Sequence, residues 1–380
     1  MGCATVSIPA ADEDALMQII DCHGHIFPPL SGASGFESAA LHLLFQQRAM
    51  HLHGNQPVRR LRDHAVVSER HLWAADDDSE TGCSRDVQFR VGRCGRYEWR
   101  KGDERFYVQF LPPSMQDMAA PPDFMTTQMD YAGITSVVLQ NDHIYGNLAE
   151  YFAEATKNHP GRFIGLAQVE EGFAYRDDQL RALEDQVHRL GMKGLYFTFA
   201  GFFRNGYRIY YTDPEYRAFW DLVAEMDIPV FWVFLGKSPR GDFMQELGGF
   251  RRWLERYPTI RSVLVHGLPT HLFADEKDVL RPPPEIVSLM ETLPVFSEVL
   301  YPIMWAGKMN FPFARAQSHF RQLYDRFGPD RLIWGSDMPN VERYCTYRQT
   351  LTYLLDYSDF LPEPDRVKIF GETTRSLFRR

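Results

Sequence analysis

From about residue 123 onward the chain alternates between two hydrophobic rhythms. Short unbroken apolar runs, rich in Val, Ile, Leu and Phe, read as strands buried on both faces. They cover residues 134–140, 163–169, 192–199, 228–234, 260–266, 295–300 and 331–336. Between them, at 147–157, 177–190, 214–226, 243–256 and 314–327, apolar positions recur every three or four residues, as on one face of a helix. Asp213-Pro214 adds a helix start, an N-cap followed by proline at the first helical position. A further apolar run at 18–22 brings the strands to eight. Strand and helix in strict alternation imply a parallel sheet, and eight such units predict an α/β fold of the (β/α)8 TIM-barrel type. A doubly wound sheet would be expected to carry a GxGxxG turn after its first strand, and none follows residue 22.

Residues 26–121 interrupt this rhythm between strand 1 and the helix near 122–131 that leads into strand 2. A βα loop ordinarily takes ~2–6 residues, so the segment is expected to be an insertion at the barrel mouth within a single domain spanning 1–380. Its first part, 36–73, reads as helical; residues 88–110 alternate polar and apolar around Gly92, Gly95 and Gly102, as a β-ribbon would. The acidic run Asp76–Asp78 reads as solvated loop.

Composition narrows the partners. Lys plus Arg number 41 against 50 Asp plus Glu, a formal charge of −9 with no basic block, which excludes a phosphate-tracking nucleic-acid surface. The longest apolar run, residues 228–236, is far short of the ~20 residues of a membrane helix. An odd, scattered set of cysteines (Cys3, Cys22, Cys83, Cys94, Cys345) argues for a reducing compartment and against a disulfide scaffold. The acidic start around Asp12–Asp14 has no basic stretch leading into an apolar run, so a cytoplasmic location is expected. Met1-Gly2-Cys3 lacks the Ser or Thr that N-myristoylation prefers, since position 6 is Val.

The chemistry-bearing residues gather at strand ends. In Ile19-Ile20-Asp21-Cys22-His23-Gly24-His25, two-residue alternation points His23 and His25 the same way at the end of strand 1. Two converging imidazoles suit a divalent cation of the Zn, Mn, Fe or Ni type. His51-Leu52-His53 repeats the spacing in a helical pattern, where the two side chains diverge, and reads as surface histidine. The strand at 260–266 ends in His266, and the strand at 331–336 is followed by Asp337. All three ends belong where a barrel keeps its catalytic groups.

The phrases IIDCHGHIFPP (19–29), MDYAGITSVVLQ (129–140), RFIGLAQV (162–169), GMKGLYF (191–197), VLVHGLP (263–269), RLIWGSDMP (331–339) and KIFGETTRSLF (368–378) occur in this order along nearly the whole chain. On these the chain resembles the amidohydrolase superfamily, in the amidohydrolase-related branch that includes aminocarboxymuconate-semialdehyde decarboxylase and resorcylate decarboxylase. The resemblance implies a metal held by His23, His25 and Asp337, with His266 catalytic or ligating; in metal-assisted hydrolysis Asp337 or His266 would then shuttle the proton. It also implies a possible homodimer. One departure stands out. The branch usually carries a metal-binding His at the end of strand 5, but Pro229-Val230-Phe231-Trp232-Val233-Phe234-Leu235-Gly236 is apolar in both strand phases. A reduced two-His, one-carboxylate site is then expected, with zinc first and manganese second, or no metal at all. Lys193, in GMKGLYF, falls at a strand start and does not suit a carboxylated bridging lysine.

Around the mouth, His143, Glu298 and Arg343 are candidate substrate contacts, with Arg348, Lys237 and Arg240 weaker ones. Cys22 reads as a small core residue. The aromatics Phe197, Phe199, Phe202, Phe203 and Tyr207 read as packing that also offers a wall for a ring-bearing substrate. The expected activity is metal-dependent hydrolysis of a small carboxylated or aromatic molecule. The alternative is non-oxidative decarboxylation, a carbon–carbon lyase reaction on an aromatic or unsaturated acid. A third reading is a barrel without activity whose metal site has decayed.

Overall fold

The computed structural model describes residues 17–52, 56–68, 70–73, 84–300 and 310–379. The N-terminal leader, the acidic run at 76–78, His53, Cys3 and Cys83 lie outside the described residues. Eight parallel strands follow one another in chain order: β1 (Ile20–Gly24), β2 (Ser136–Leu139), β3 (Phe163–Gln168), β4 (Gly194–Thr198), β5 (Val230–Val233), β6 (Ser262–Leu264), β7 (Val295–Val299) and β8 (Leu332–Trp334). The sheet closes on itself through a parallel bridge between Gly24 and Met338. His25 N–H donates to Met338 O and Asp337 N–H to His23 O, each at 2.8 Å. These two bonds tie the end of β1 to the loop after β8. The TIM-barrel expectation holds, and the predicted helices at 243–256 and 314–327 form as Phe243–Arg256 and Ala314–Phe327.

Strict alternation sorts the strands' side chains into two cores. One apolar cluster, with Ile20, Val138, Leu166, Tyr196, Phe231, Val263, Phe296 and Ile333, takes a residue from every strand and fills the barrel interior. Leu377 and Phe378 of the C-terminal segment join it, Phe378 stacked on Phe231. The other cluster lies between barrel and helices. There Trp232, on the outer face of β5, packs 5.3 Å from Trp220 and 4.7 Å from Trp253, ring centroid to centroid.

Between β1 and helix Pro122–Ala132 lie a helix, Ala39–Leu52, and a five-stranded antiparallel sheet in the order Val66–Val67, Val58–Arg60, Glu104–Gln109, Arg96–Lys101, Arg90–Val91. The helical reading of 36–73 is therefore corrected in its second half. Pro57 cannot donate a backbone hydrogen bond and disfavours helix in the residue before it. Val58–Arg60 instead pairs with Glu104–Gln109, nearly fifty positions away, where no local pattern reveals it. The sheet packs against the mouth: Phe110 meets the Tyr145 ring at 6.2 Å, and its carbonyl accepts from Arg343.

Candidate metal centre and active site

The end of β1 does more than alternation predicts. Between Asp21 and Gly24 the register with β2 slips, three steps in β1 against two in β2. Such an extra residue re-aims side chains. Cys22 packs into the barrel interior beside Ile20, as a small core residue. His23 and His25 both still turn into the mouth, their Nε2 atoms 3.1 Å apart. Beneath them the buried Asp21 carboxylate accepts four hydrogen bonds, from His23 N, Ser336 N, Ser336 Oγ and Tyr347 Oη, at 2.6–2.9 Å. It locks β1 to β8 below the site.

The outer ring nitrogens fix what the inner ones offer. His23 Nδ1 lies 2.9 Å from Glu298 Oε2, and His25 Nδ1 lies 2.9 Å from the Gln140 carbonyl. Both partners only accept, so each neutral ring carries its proton on Nδ1 and turns an Nε2 lone pair inward. The Asp337 carboxylate completes the convergence, with Oδ1 3.2 Å from His25 Nε2 and 3.6 Å from His23 Nε2. His23, His25 and Asp337 form a buried three-ligand group whose ligand atoms all lie within 4.8 Å of one another. Three acceptors facing one another without a proton between them demand a cation, so the residues fit a divalent metal ion. Without one, a proton fills the gap. Burial opposes charge on His23, but Glu298, Asp337 and Asp21 outweigh it and hold its pKa up to about 8. Burial likewise opposes ionisation of Asp337, yet its bond from His25 and the charges of His23, His25 and Arg343 keep it well below the usual carboxylate range.

Glu298, expected as a substrate contact, has both oxygens engaged by the protein. Oε1 accepts from Gln140 Nε2 at 2.6 Å; Oε2 faces His23 Nδ1 and accepts from His266 N at 2.7 Å. Fully buried on β7, it sits where it orients His23 and holds the end of β6. His266, two residues past β6, adopts a left-handed backbone with φ 67°, as does Asp337 with φ 61°. Bulky residues seldom take this conformation away from turns and functional sites. The His266 ring lies 5.3 Å from the His23 ring, beside the three-ligand group but not part of it.

The other candidates scatter. His143 is buried but turned to Glu171 Oε2 at 2.6 Å, with its ring stacked 4.7 Å from Phe45 of the inserted helix. Arg343 sits near Asp337, bonded to Phe110 O and flanked by the Phe110 and Tyr344 rings. Arg240 is tied to the Tyr207 and Arg208 carbonyls, while Lys193, Lys237 and Arg348 are exposed. His51 is half-buried rather than a surface residue. Sequence reading missed Gln140, whose amide and carbonyl brace Glu298 and His25, and Asn340, which donates to Asp337 Oδ1 at 2.7 Å and to Tyr145 Oη at 2.6 Å. Gln140 closes the apolar run at 134–140 and Asn340 lies three residues past Asp337, so their nearness to strand ends is the one usable signal.

Fold and site together define a TIM barrel with two histidines and one carboxylate gathered at its C-terminal mouth, a group that could hold a metal ion. The sequence profile of the amidohydrolase family matches residues 20–380, and the chain belongs to that family. A gamma-resorcylate decarboxylase from Polaromonas sp. is 24% identical over 261 residues, covering 60% of this chain and 74% of the relative. Among solved structures, a probable 2-pyrone-4,6-dicarboxylic acid hydrolase from Acinetobacter baumannii with citric acid bound superposes with a TM-score of 0.52 at 18% identity, over 69% of this chain and 90% of that one. A dihydroxybenzoic acid decarboxylase from Polaromonas sp., with manganese and the inhibitor 2-nitroresorcinol bound, gives 0.50 at 17% identity, over 69% and 86%. These structural likenesses speak for the fold.

Proposed function

We propose that this protein is a metal-dependent enzyme that acts on a small carboxylated molecule bearing an aromatic or unsaturated ring, removing CO2 from it. The observation that carries the reading is the convergence of the His23 and His25 Nε2 lone pairs with the Asp337 carboxylate. These three residues would hold one divalent cation, zinc or, as in the related Polaromonas structure, manganese. Bound there, the cation supplies Lewis-acid polarisation of a substrate oxygen.

The chain's own residues supply the rest. Glu298 and the Gln140 carbonyl hold the two imidazoles in the tautomer that leaves Nε2 free. His266, whose ring lies beside the group, would deliver a proton to the substrate carbon that bears the carboxylate. The bond to the carboxylate then breaks, its electron pair stays with the ring, and CO2 leaves; His266 regains its proton from solvent. Decarboxylation is favoured over the hydrolysis first expected because the end of β5 turns the apolar Val233 to the barrel interior, where a ligand-bearing His would otherwise stand. Apolar walls suit a ring and disfavour a hydrated carboxylate. The relative at 24% identity is itself named a decarboxylase.

Hydrolysis is the second reading, supported by one fewer protein ligand and so more room for water at the centre. Turnover in ¹⁸O-labelled water with headspace CO2 recorded on the same sample separates the two. Stoichiometric CO2 is expected; label in a product acid without CO2 overturns decarboxylation in favour of hydrolysis. Metal analysis after growth with added zinc or manganese is expected to give about one ion per chain. Background metal in folded protein would defeat both readings.

A further inference from the structure

At the C-terminal ends of β5 and β6 lies a cavity of about 300 Å³, open to solvent on one side. Its walls are Phe234, Phe243, Leu264, Val265 and Leu272, and His266 forms its polar edge. The same His266 ring lies 5.3 Å from His23, so the residue separates the metal-binding group from an apolar chamber. A volume at the lower end of small-molecule pockets fits one or two rings and little more. Gly236 also lines the chamber, and a Cβ built there meets nothing within 4 Å. Gly267, by contrast, is sealed: its φ is +76°, and a Cβ would lie 2.1 Å from the Glu298 carbonyl oxygen.

We infer that this cavity receives the apolar ring of the substrate while the carboxylate end faces the His23, His25 and Asp337 group, making Gly236 and Leu272 determinants of substrate size. The inference rests on the proposed metal-dependent function and adds to it the location and bulk of the ring. The polar and apolar ends of such a ligand are discriminated by different parts of the mouth. Polar selection falls to β1, β7 and β8. Size selection falls to the β5 and β6 ends, where apolar contact decides how large a ring enters.

Gly236→Leu fills the chamber from an open position, and Leu272→Ala enlarges it from a side chain that is 55% exposed. Neither change cuts into the barrel core. The measurement is calorimetric binding of three probes (acetate, benzoate and 1-naphthoate) to zinc-loaded protein, with and without each substitution. Wild-type protein is expected to bind the aromatic acids more tightly than acetate. Gly236→Leu is expected to lower the naphthoate-to-acetate affinity ratio by about 10-fold or more, the range that mismatched apolar bulk typically commands. Leu272→Ala is expected to shift preference from benzoate toward naphthoate. An unchanged ratio in both variants overturns the inference. If His23→Gln nonetheless abolishes aromatic-acid binding, the metal-site reading stands and the ring lies elsewhere. Failure of zinc-loaded wild type to bind any of the three acids, or failure to load zinc, overturns both.

Discussion

Glu298 is the sharpest test of how the metal-binding group is built, because two substitutions there separate charge from hydrogen-bond geometry. In Glu298→Gln the amide oxygen can keep the Oε2 position, still accepting from His23 Nδ1 and His266 N. The amide nitrogen then faces Gln140, whose own amide must flip and give up its 3.0 Å bond to the Cys22 carbonyl. Gln140 Oε1, buried without a partner, becomes the acceptor after that flip. The tautomer clamp survives and the negative charge is lost. Glu298→Ala removes both: His23 Nδ1 and His266 N lose the acceptor that Glu298 gave them, and Gln140 Nε2 keeps only its bond to the Cys22 carbonyl. At about 1–3 kcal/mol for each unsatisfied group, partly offset by entering water, a cost of about 3 kcal/mol or more in stability is expected. Residues that orient metal-bound histidines typically govern 10–100-fold in metal affinity. The expected order is therefore a loss of about 10-fold for Gln and about 100-fold for Ala. Competition for Zn2+ against a chromophoric chelator reads the affinity, and urea unfolding of the same samples reads the stability. Wild-type affinity in both folded variants would refute the orienting role.

Three further outcomes are expected. His266→Ala lowers turnover by about 10²–10⁴-fold, the usual contribution of a general acid–base group, while circular dichroism and metal content stay as in wild type; activity near wild type removes it from the reaction. Gly335→Ala places a Cβ 2.9 Å from His23 Cβ, so chelator competition should show weakened metal binding and unfolding a stability loss of about 1–3 kcal/mol; unchanged affinity would mean that β1 yields without moving the imidazole. Burial and the nearby Arg48 and Arg70 guanidinium groups hold His51 down to about 4 against an ordinary 6.5, so the unfolded chain binds a proton that the folded chain refuses. Stability is thus full above pH 6.5 and falls as pH drops toward 4. His51→Gln should flatten that slope in unfolding measured at pH 7.5, 6 and 5, and an unaltered slope would point to other groups.

The parts of this fold legible in sequence are those whose cause is local. A parallel strand buried on both faces must be a continuous apolar run, and β1–β8 declare themselves that way. His23, His25, His266 and Asp337 stand at the ends of such runs. What sequence concealed depends on partners far along the chain. Val58–Arg60 becomes a strand only against Glu104–Gln109. Glu298 reads as a ligand contact until His23, 275 positions away, takes one of its oxygens. The register slip in β1 is invisible without β2 beside it, yet it is what lets Cys22, His23 and His25 all turn inward. Trp232, in a run that is apolar in both strand phases, points into the helix layer, with Nε1 donating to Ser262 Oγ at 3.2 Å. An apolar strand shows no phase by which to choose a face.

These features divide the mouth into unlike halves. On one side β1, β2, β7 and β8 hold a dense set of charged and polar groups, each oriented by main-chain bonds or by buried carboxylates such as Asp21 and Glu298. Geometry there is over-determined: shifting one imidazole disturbs a bond to β7 or β8. On the other side β5 and β6 end in Phe234, Leu264 and Val265, held by packing alone around an open chamber. Apolar packing tolerates changes of size far better than a hydrogen-bonded cluster tolerates changes of kind. The absence of a strand-five ligand leaves the three-sided clamp of His23, His25 and Asp337 intact, and the chamber proposed for the substrate ring lies beside that clamp, across His266. His266 joins the halves, since its amide is fixed to Glu298 while its ring borders the chamber. A substitution that alters which molecule is accepted is therefore expected on the β5–β6 side, and one that alters whether chemistry occurs at all on the β1–β7–β8 side.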